Sequence, residues 1–242
     1  MAGHSKWANI KHRKGKADAK KGKIFSRIAK EIISATKLGG ADPKSNSRLR
    51  LAIQKAREAN MPSDNIDRNI KKASNADQQD YHEMTYELYG HGGVGLLIDV
   101  MTDNKNRISS EMRIATNKRG GTIANPGAVA FNFDRKGIIQ VTKNNVPEDD
   151  LFIAATEAGA EDFEVEEEGF IITTDPTALY AVRDAIAEQG YICESAELDM
   201  IPKTMVECDE EAVKDNLALI DWLEELEDVD SVYHNMRIPD DF

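Results

Sequence analysis

Between residues 24 and 39 the apolar positions Ile24, Ile28 and Ile32, with Phe25 and Ala29 beside them, recur at the spacing of one helix face and stop at Gly39. The other positions include Arg27, Lys30, Ser34 and Lys37, which predicts an amphipathic helix with its apolar stripe on a core and a basic stripe facing outward. "SRLRLAIQKAREANMP" repeats the scheme, with Leu49, Ala52, Ile53 and Ala56 as the buried face and the residue before Pro62 as its end. Ser63 reads as the cap of a short third helix containing Ile66 and Ile70, with Asp64 near its positive end. "SNADQQD", from Ser74 to Asp80, is polar and aperiodic and is read as a linker.

Beyond the linker the period changes. "MTYELYG" and "VGLLIDVMT" predict strands joined through "GHGGVG", "RISSEMRIATNK" predicts a helix ending near Gly120, and "AVAFNF" alternates like another strand. The stretch from Gly137 to Pro202 reads βαββαβ, the order of a split βαβ or ferredoxin-like unit, which closes a fold by itself. The segments on either side are incomplete alone: the earlier one supplies strands and one helix, while "TMVEC", a helix from Glu210 to Glu227 and "DSVYHNM" supply the rest. The expected fold class is a mixed α+β, α/β multidomain chain. Its parts are a helical domain over residues 1–75, a discontinuous α/β domain over 81–136 plus 203–242, and an inserted ferredoxin-like α/β domain over 137–202.

Charge adds a second division along the same lines. The chain has a formal net charge of -12, yet residues 1–72 hold 19 Lys or Arg against 6 Asp or Glu, a balance of +13, and the remainder carries -25. In the arm "KHRKGKADAKKGK" and its flanks, Lys6, Lys11, Arg13, Lys14, Lys16, Lys20, Lys21 and Lys23 surround one acid, Asp18. Cations at this density repel one another unless a polyanion receives them, and a phosphodiester backbone is the evident polyanion. The competing reading is a solvated tail, but the basic residues continue into helices that are expected to fold. The acidic remainder, with "EVEEEG" and "DWLEELEDVD", is repelled by a polyanion, so binding is expected to be polarised.

The contact candidates are Lys6, Lys11, Arg13, Lys14, Lys20, Lys21, Lys23 and Arg27, with Lys30, Arg48 and Arg50 as helical support. Phosphate contacts position a protein without reading sequence. Trp7 either stacks on an unpaired base or anchors the arm to a neighbouring domain. "TDNKNR" places Asn104, Lys105 and Arg107 between a strand and a helix, where the choices are an additional anion contact or a capping turn. "FDRKG" fits a hairpin connection, whose Arg135 and Lys136 need no further role.

Catalytic and cofactor chemistry finds little support. "HGGVG" is similar to the oxyanion loop of some esterases, but no G-x-S-x-G elbow accompanies it, which leaves a glycine-rich strand connection. The histidines at 4, 12, 82, 91 and 234 and the cysteines at 193 and 208 show no zinc-ligand spacing, and no P-loop occurs. No metal and no cofactor is expected. Two cysteines do not make a disulfide framework, and no apolar run reaches the eighteen or so residues of a membrane span. The basic N-terminal stretch is Lys-rich and contains Gly15 and Gly22, unlike an Arg- and Ser-rich transit peptide, so the expectation is a cytoplasmic protein with no membrane partner.

"MAGHSKWANIKHRK", "KIFSRIAKEI", "LGGADP", "RLRLAIQKAREANMP" and "YELYGHGGVG", with "MTDNKNR", "PGAVAFNFDRKG" and "ALIDWLEELEDVDSVYHN", resemble the YebC family almost end to end. The resemblance implies a cytoplasmic three-domain protein: an N-terminal helical domain and two α/β domains, one inserted in the other. The family is labelled as probable transcriptional regulators that bind DNA, a role that entails no catalysis by the factor itself, so the resemblance implies a non-enzymatic regulator. The family's mitochondrial relatives are translational activators, and bacterial relatives are linked to relief of ribosomes stalled on proline-rich sequences. The expectation is therefore a nucleic-acid-binding regulator of gene expression with DNA or ribosomal RNA, and through the latter the ribosome, as partner. The alternatives are a ribosome-associated translation factor and an acidic protein-interaction module in which the arm is incidental.

Overall fold

Ile28, Ile32 and Ala35 lie on one stripe and leave water together, which sets helix α1 (Lys21–Gly39). It stops at Gly40, whose φ of 87° would strain any other residue. The computed structural model describes residues 21–73, 80–143, 146–167 and 169–239. Helix α2 (Ser47–Glu58) starts at Asn46, whose Oδ1 accepts from the Leu49 amide at 3.0 Å. The same buried side chain donates to the carbonyls of Ala35 and Gly40, both at 2.8 Å, so one amide group caps α2 and ties it to the end of α1. Helix α3 (Ser63–Ala73) follows, and Ile28, Ile32, Leu49, Ala52, Ala56 and Ile66 make one shared core of the three helices. Helix α2 ends at Glu58 rather than beside Pro62, because Asn60 takes a left-handed φ of 59° that breaks the helix first.

A four-stranded sheet follows. Strands β1 (His82–Tyr89) and β2 (Gly95–Thr102) form an antiparallel hairpin across a turn at His91–Gly93, in register from Tyr89 opposite Gly95 to His82 opposite Thr102. Seven of the eight β2 residues are buried, the pattern of a strand covered on both faces. Helix α4 (Lys105–Arg119) leads to the two-residue β3 (Thr122–Ile123) beside β1.

A second four-stranded sheet comes next in the chain, built from β4 (Phe133–Thr142), β5 (Asp162–Val165), β6 (Gly169–Thr174) and β7 (Cys193–Pro202). Its order is β5-β6-β4-β7 and every pairing is antiparallel. Helices α5 (Glu148–Ala158) and α6 (Leu179–Glu188) separate β4 from β5 and β6 from β7. Ile139, Val141, Phe170 and Ile172 meet Leu151, Ala155, Val182 and Ile186 of these helices in one core. The chain then returns to the first sheet: α7 (Glu210–Glu225) packs against α4, and β8 (Val229–His234) takes the edge next to β2, giving the order β3-β1-β2-β8. Two compact units result: residues 21–126 with Asp209–Tyr233, and Gly127–Cys208 with residues 234–239.

Three local expectations are corrected. "AVAFNF" is no strand of its own: it is a turn with a short 3-10 segment at Ala130–Asn132 in which Val129 is buried and Phe131 is 72% exposed, and only its last residue, the buried Phe133, enters β4. The apolar alternation there belongs to a tight turn and not to a pleat. Arg135 and Lys136 lie inside β4, opposite Met200 and Asp199, and not in a hairpin connection. "TMVEC" contributes a single bridge, Val206 to Met236, and no strand.

Candidate nucleic-acid interface

On helix α1, Lys23, Arg27 and Lys30 fall at i, i+4 and i+7, hence on one face. That face meets the end of α7 and the start of β8. The Lys23 ammonium donates to the carbonyls of Glu224 and, at 2.7 Å, Leu226, which are among the acceptors that a helix leaves open at its C-terminus. Arg27 donates to the Asp230 carbonyl at 3.0 Å and lies 3.4 Å from Ser231 Oγ. Lys30, only 7% exposed, donates to the carbonyls of Glu227 at 3.0 Å and Met101 at 3.3 Å and to Asp228 Oδ1 at 3.1 Å.

Asp228 is 1% exposed and collects donors from three elements. Its Oδ2 accepts from Thr102 Oγ1 at 2.8 Å and from Arg107 Nε and Nη2 at 3.0 and 2.6 Å. Burial pushes this carboxyl up, but the hydrogen bonds from Arg107, Thr102 and Lys30 together outweigh it and hold the group below its ordinary value. The hydrogen bond from Arg107 to Asp228, together with one to Asp103 at 2.8 Å, holds the guanidinium still more firmly protonated. One buried anion thus fastens α1, the end of β2, the start of α4 and the turn before β8. Asp230, two residues on, behaves oppositely: burial pushes its carboxyl up to about 6, against the lowering influence of Arg27 and Lys30.

The expected outward basic stripe on α1 is therefore corrected: Lys30 and Ser34 are buried, and the Lys30 ammonium is taken up by Asp228 and two carbonyls. The physical reason is that the α7–β8 turn presents a carboxylate and several backbone carbonyls with room to accept a donor. Arg48 pairs with Glu83, both side chains half exposed. Arg50 is exposed and its guanidinium reaches the Pro43 carbonyl, at 3.4 Å. Lys6, Trp7, Lys11, Arg13, Lys14 and Lys20 lie outside the described residues, as does the Lys21 side chain.

Other cations take the outward positions instead. Arg57 on α2 and Arg68, Lys71 and Lys72 on α3 are not buried, and their side chains carry no hydrogen-bond or ion-pair partner among the described residues. On α3 these three recur at i, i+3 and i+4, away from the buried Ile66 and Ala73. That spacing was the available sequence signal for them.

At "TDNKNR" the structure shows a cap. Asn104 Oδ1 accepts from the amides of Asn106 and Arg107, both at 3.1 Å, and so occupies donors that an anion at this helix start would need. Arg107 turns inward to Asp228, and Lys105 stays exposed. "GHGGVG" is the β1–β2 connection, with Gly92 and Gly93 at φ of 65° and 81°. Asn216, fully buried in α7, clamps it by accepting from the His91 amide at 2.8 Å and donating to the His91 carbonyl at 3.0 Å. Among the described residues no group of three or more His, Cys, Asp or Glu is placed to hold a metal ion, and no helix is long and apolar enough to cross a membrane.

These features define a mixed α/β protein with a helical N-terminal part, two antiparallel sheets, and exposed cations on its second and third helices. The family description "TACO1/YebC protein N-terminal domain" matches residues 5–76, and "TACO1/YebC second and third domain" matches residues 81–236. A probable transcriptional regulatory protein of Protochlamydia amoebophila is 78% identical over 241 residues, covering 100% of this chain and 98% of that one. A protein of the same description from Chlamydia pneumoniae is 59% identical over 237 residues, covering 98% of this chain and all of the relative. The crystal structure of a conserved hypothetical protein from Aquifex aeolicus superposes with a TM-score of 0.84 at 43% identity, covering 98% of each chain. The chain belongs to the TACO1/YebC family.

Proposed function

We propose that this chain is a non-enzymatic regulator of gene expression that binds nucleic acid, with duplex DNA as its first target and transcription as the process it controls. One observation carries the reading: the cations of α2 and α3 that have no partner among the described residues, Arg57, Arg68, Lys71 and Lys72, add to the basic arm of residues 6–23. A surface that keeps unpaired charge in water, in the same part of the chain as a dense basic segment, is the electrostatic footprint of a phosphate-binding protein. The naming of close relatives as probable transcriptional regulatory proteins agrees with this.

In this reading Lys6, Lys11, Arg13, Lys14, Lys20 and Lys21 of the arm, together with Arg50 and the α2–α3 cations, meet the polyanion. Lys23, Arg27, Lys30 and Arg48 hold the helical part in position. We read residues 1–75, 81–136 with 203–242, and 137–202 as the working domains, the last a ferredoxin-like insertion. The antiparallel order β5-β6-β4-β7 with α5 and α6 between strands supports that assignment. The protein is taken to work in the cytoplasm.

The test is sedimentation of the tagged protein from lysate, with and without DNase, at low and moderate salt. Migration with DNA that DNase abolishes, with recovery on purified duplex DNA, is the expected result. Co-migration with ribosomal particles that survives DNase would replace transcription by translation as the controlled process and assign the arm to ribosomal RNA.

A further inference from the structure

Helix α4 is out of character with its surroundings. The chain after Lys72 has twelve basic residues, and five of them, Lys105, Arg107, Arg113, Lys118 and Arg119, fall within this one 15-residue helix. Two have internal uses: Arg107 on Asp228, and Arg119, which lies over the Trp222 ring at 5.4 Å and joins α4 to α7. The side chains of Lys105, Arg113 and Lys118 are exposed and have no partner among the described residues. Two of the other three helices in this part of the chain open on acids instead, α5 with Glu148, Asp149 and Asp150 and α7 with Glu210 and Glu211.

The outward face of α4 also lacks a carboxylate. Ile108, Met112, Ala115 and Thr116 are buried, which turns Asn106, Ser110, Arg113 and Asn117 to solvent within an arc of about 60° at 3.6 residues per turn. Lys118 and the half-exposed Ile114 flank that arc. The helix's one acid, Glu111, is turned partly inward, has a buried Oε2 without a hydrogen bond, and has its carboxyl pushed up by burial and then by Asp228. From Asn106 to Asn117 the face runs about 16 Å, close to the axial rise of five nucleotides along one DNA strand.

We propose that the outward face of α4 is a second phosphate-binding surface, taking the sugar-phosphate backbone of duplex DNA. Arg113 on that face, Lys118 at its flank and Lys105 at the exposed first turn of the helix supply the charge, and Asn106 and Asn117 supply neutral donors. The proposal rests on the nucleic-acid reading above and adds to it a contact outside the basic N-terminal region. Asp228 ties the two helices together: it holds Lys30 of α1 with one oxygen and Arg107 of α4 with the other. Binding on α4 is independent of sequence, because backbone contacts carry no base information.

The experiment titrates the full chain against a short fluorescein-labelled DNA duplex over a range of salt. It compares the parent with the triple variant Lys105→Ala/Arg113→Ala/Lys118→Ala and with the arm variant Lys11→Glu/Lys14→Glu/Lys20→Glu/Lys21→Glu. Each phosphate that a variant no longer neutralises lowers the slope of log K against log salt by about 0.9, so the triple variant is expected to fall short of the parent slope by about 2 to 3, with an unchanged circular dichroism spectrum. Restoring the charge with Lys105→Arg and Lys118→Arg, Arg113 being kept, is expected to restore the slope. An unchanged slope in the triple variant, beside a weakened arm variant, overturns the α4 surface and leaves the broader reading standing. A parent that binds no DNA overturns both, and an α4-dependent slope seen only with an RNA duplex overturns DNA as the occupant.

Discussion

Helices α1 and α4 hold the same charge inventory, five cations and one acid each, and use it in opposite directions. In α1, Lys23, Arg27 and Lys30 turn toward the α7–β8 turn, where carbonyls and Asp228 take up their donors. In α4, Arg107 turns onto Asp228 and Arg119 onto the Trp222 ring, and Lys105, Arg113 and Lys118 face solvent. The counts are equal; the acceptors within reach differ. A cation becomes part of the fold where a neighbouring element has unpaired carbonyls or a buried carboxylate to satisfy, and remains available to a ligand where it has none.

The strongest way to break this contrast is at Asp228. Asp228→Ala removes the carboxylate bonded to buried Lys30 and is expected to cost about 3 kcal/mol or more, read from urea denaturation, because a buried charge is left without its partner. A cost near zero would mean that Lys30 finds water. The neighbouring acid sharpens the same point through pH. A carboxyl at about 6 in the folded protein prefers the protonated form, so Asp230 carries no ionisation penalty below its ordinary value near 3.8, and the penalty grows from there until the pH has passed 6. Asp230→Asn is therefore expected to stabilise the protein at pH 8, by up to about 3 kcal/mol, and to give no advantage near pH 3. Asp228 has the reverse sign: its contribution is present above 3.8 and is lost as the pH falls below that value, so the cost of Asp228→Ala shrinks in acid.

Smaller effects separate the two helices directly. Lys23→Met is expected to lose about 1 to 2 kcal/mol, the worth of a charged donor on helix-end carbonyls. Substituting Lys105, Arg113 or Lys118 with Ala is expected to move stability by less than about 0.5 kcal/mol each, since none has a hydrogen-bond or ion-pair partner among the described residues. A large loss at any of the three would place that residue in the fold and take it out of the ligand-binding set.

Helices and most strands are legible in the sequence because their periods are clean: Ile24, Ile28 and Ile32 in α1, and the near-continuous apolar run of β2, each have one structural solution. "AVAFNF" is ambiguous, because six residues of alternation fit a turn with Phe131 outward as well as a strand. Which cations face inward is not legible, because the groups that receive Lys23, Arg27 and Lys30 near α7 and β8 lie between 197 and 204 positions away along the chain. No local pattern distinguishes Lys30, buried on Asp228, from Lys71 on α3, exposed on its surface. Asn104 is legible as either cap or contact, and the geometry selects the cap.

The central claim is that the basic N-terminal region engages duplex DNA through its phosphates. The most direct measurement is the affinity of the full chain for a DNA duplex by fluorescence anisotropy across a salt series, beside the variant with four arm lysines reversed. The account predicts a steep fall of log K with log salt for the parent, with a slope of about -5 or steeper if six or more phosphates are met, and loss of binding in the variant with its fold intact. A flat salt dependence, or equal affinity of the two proteins, would contradict it.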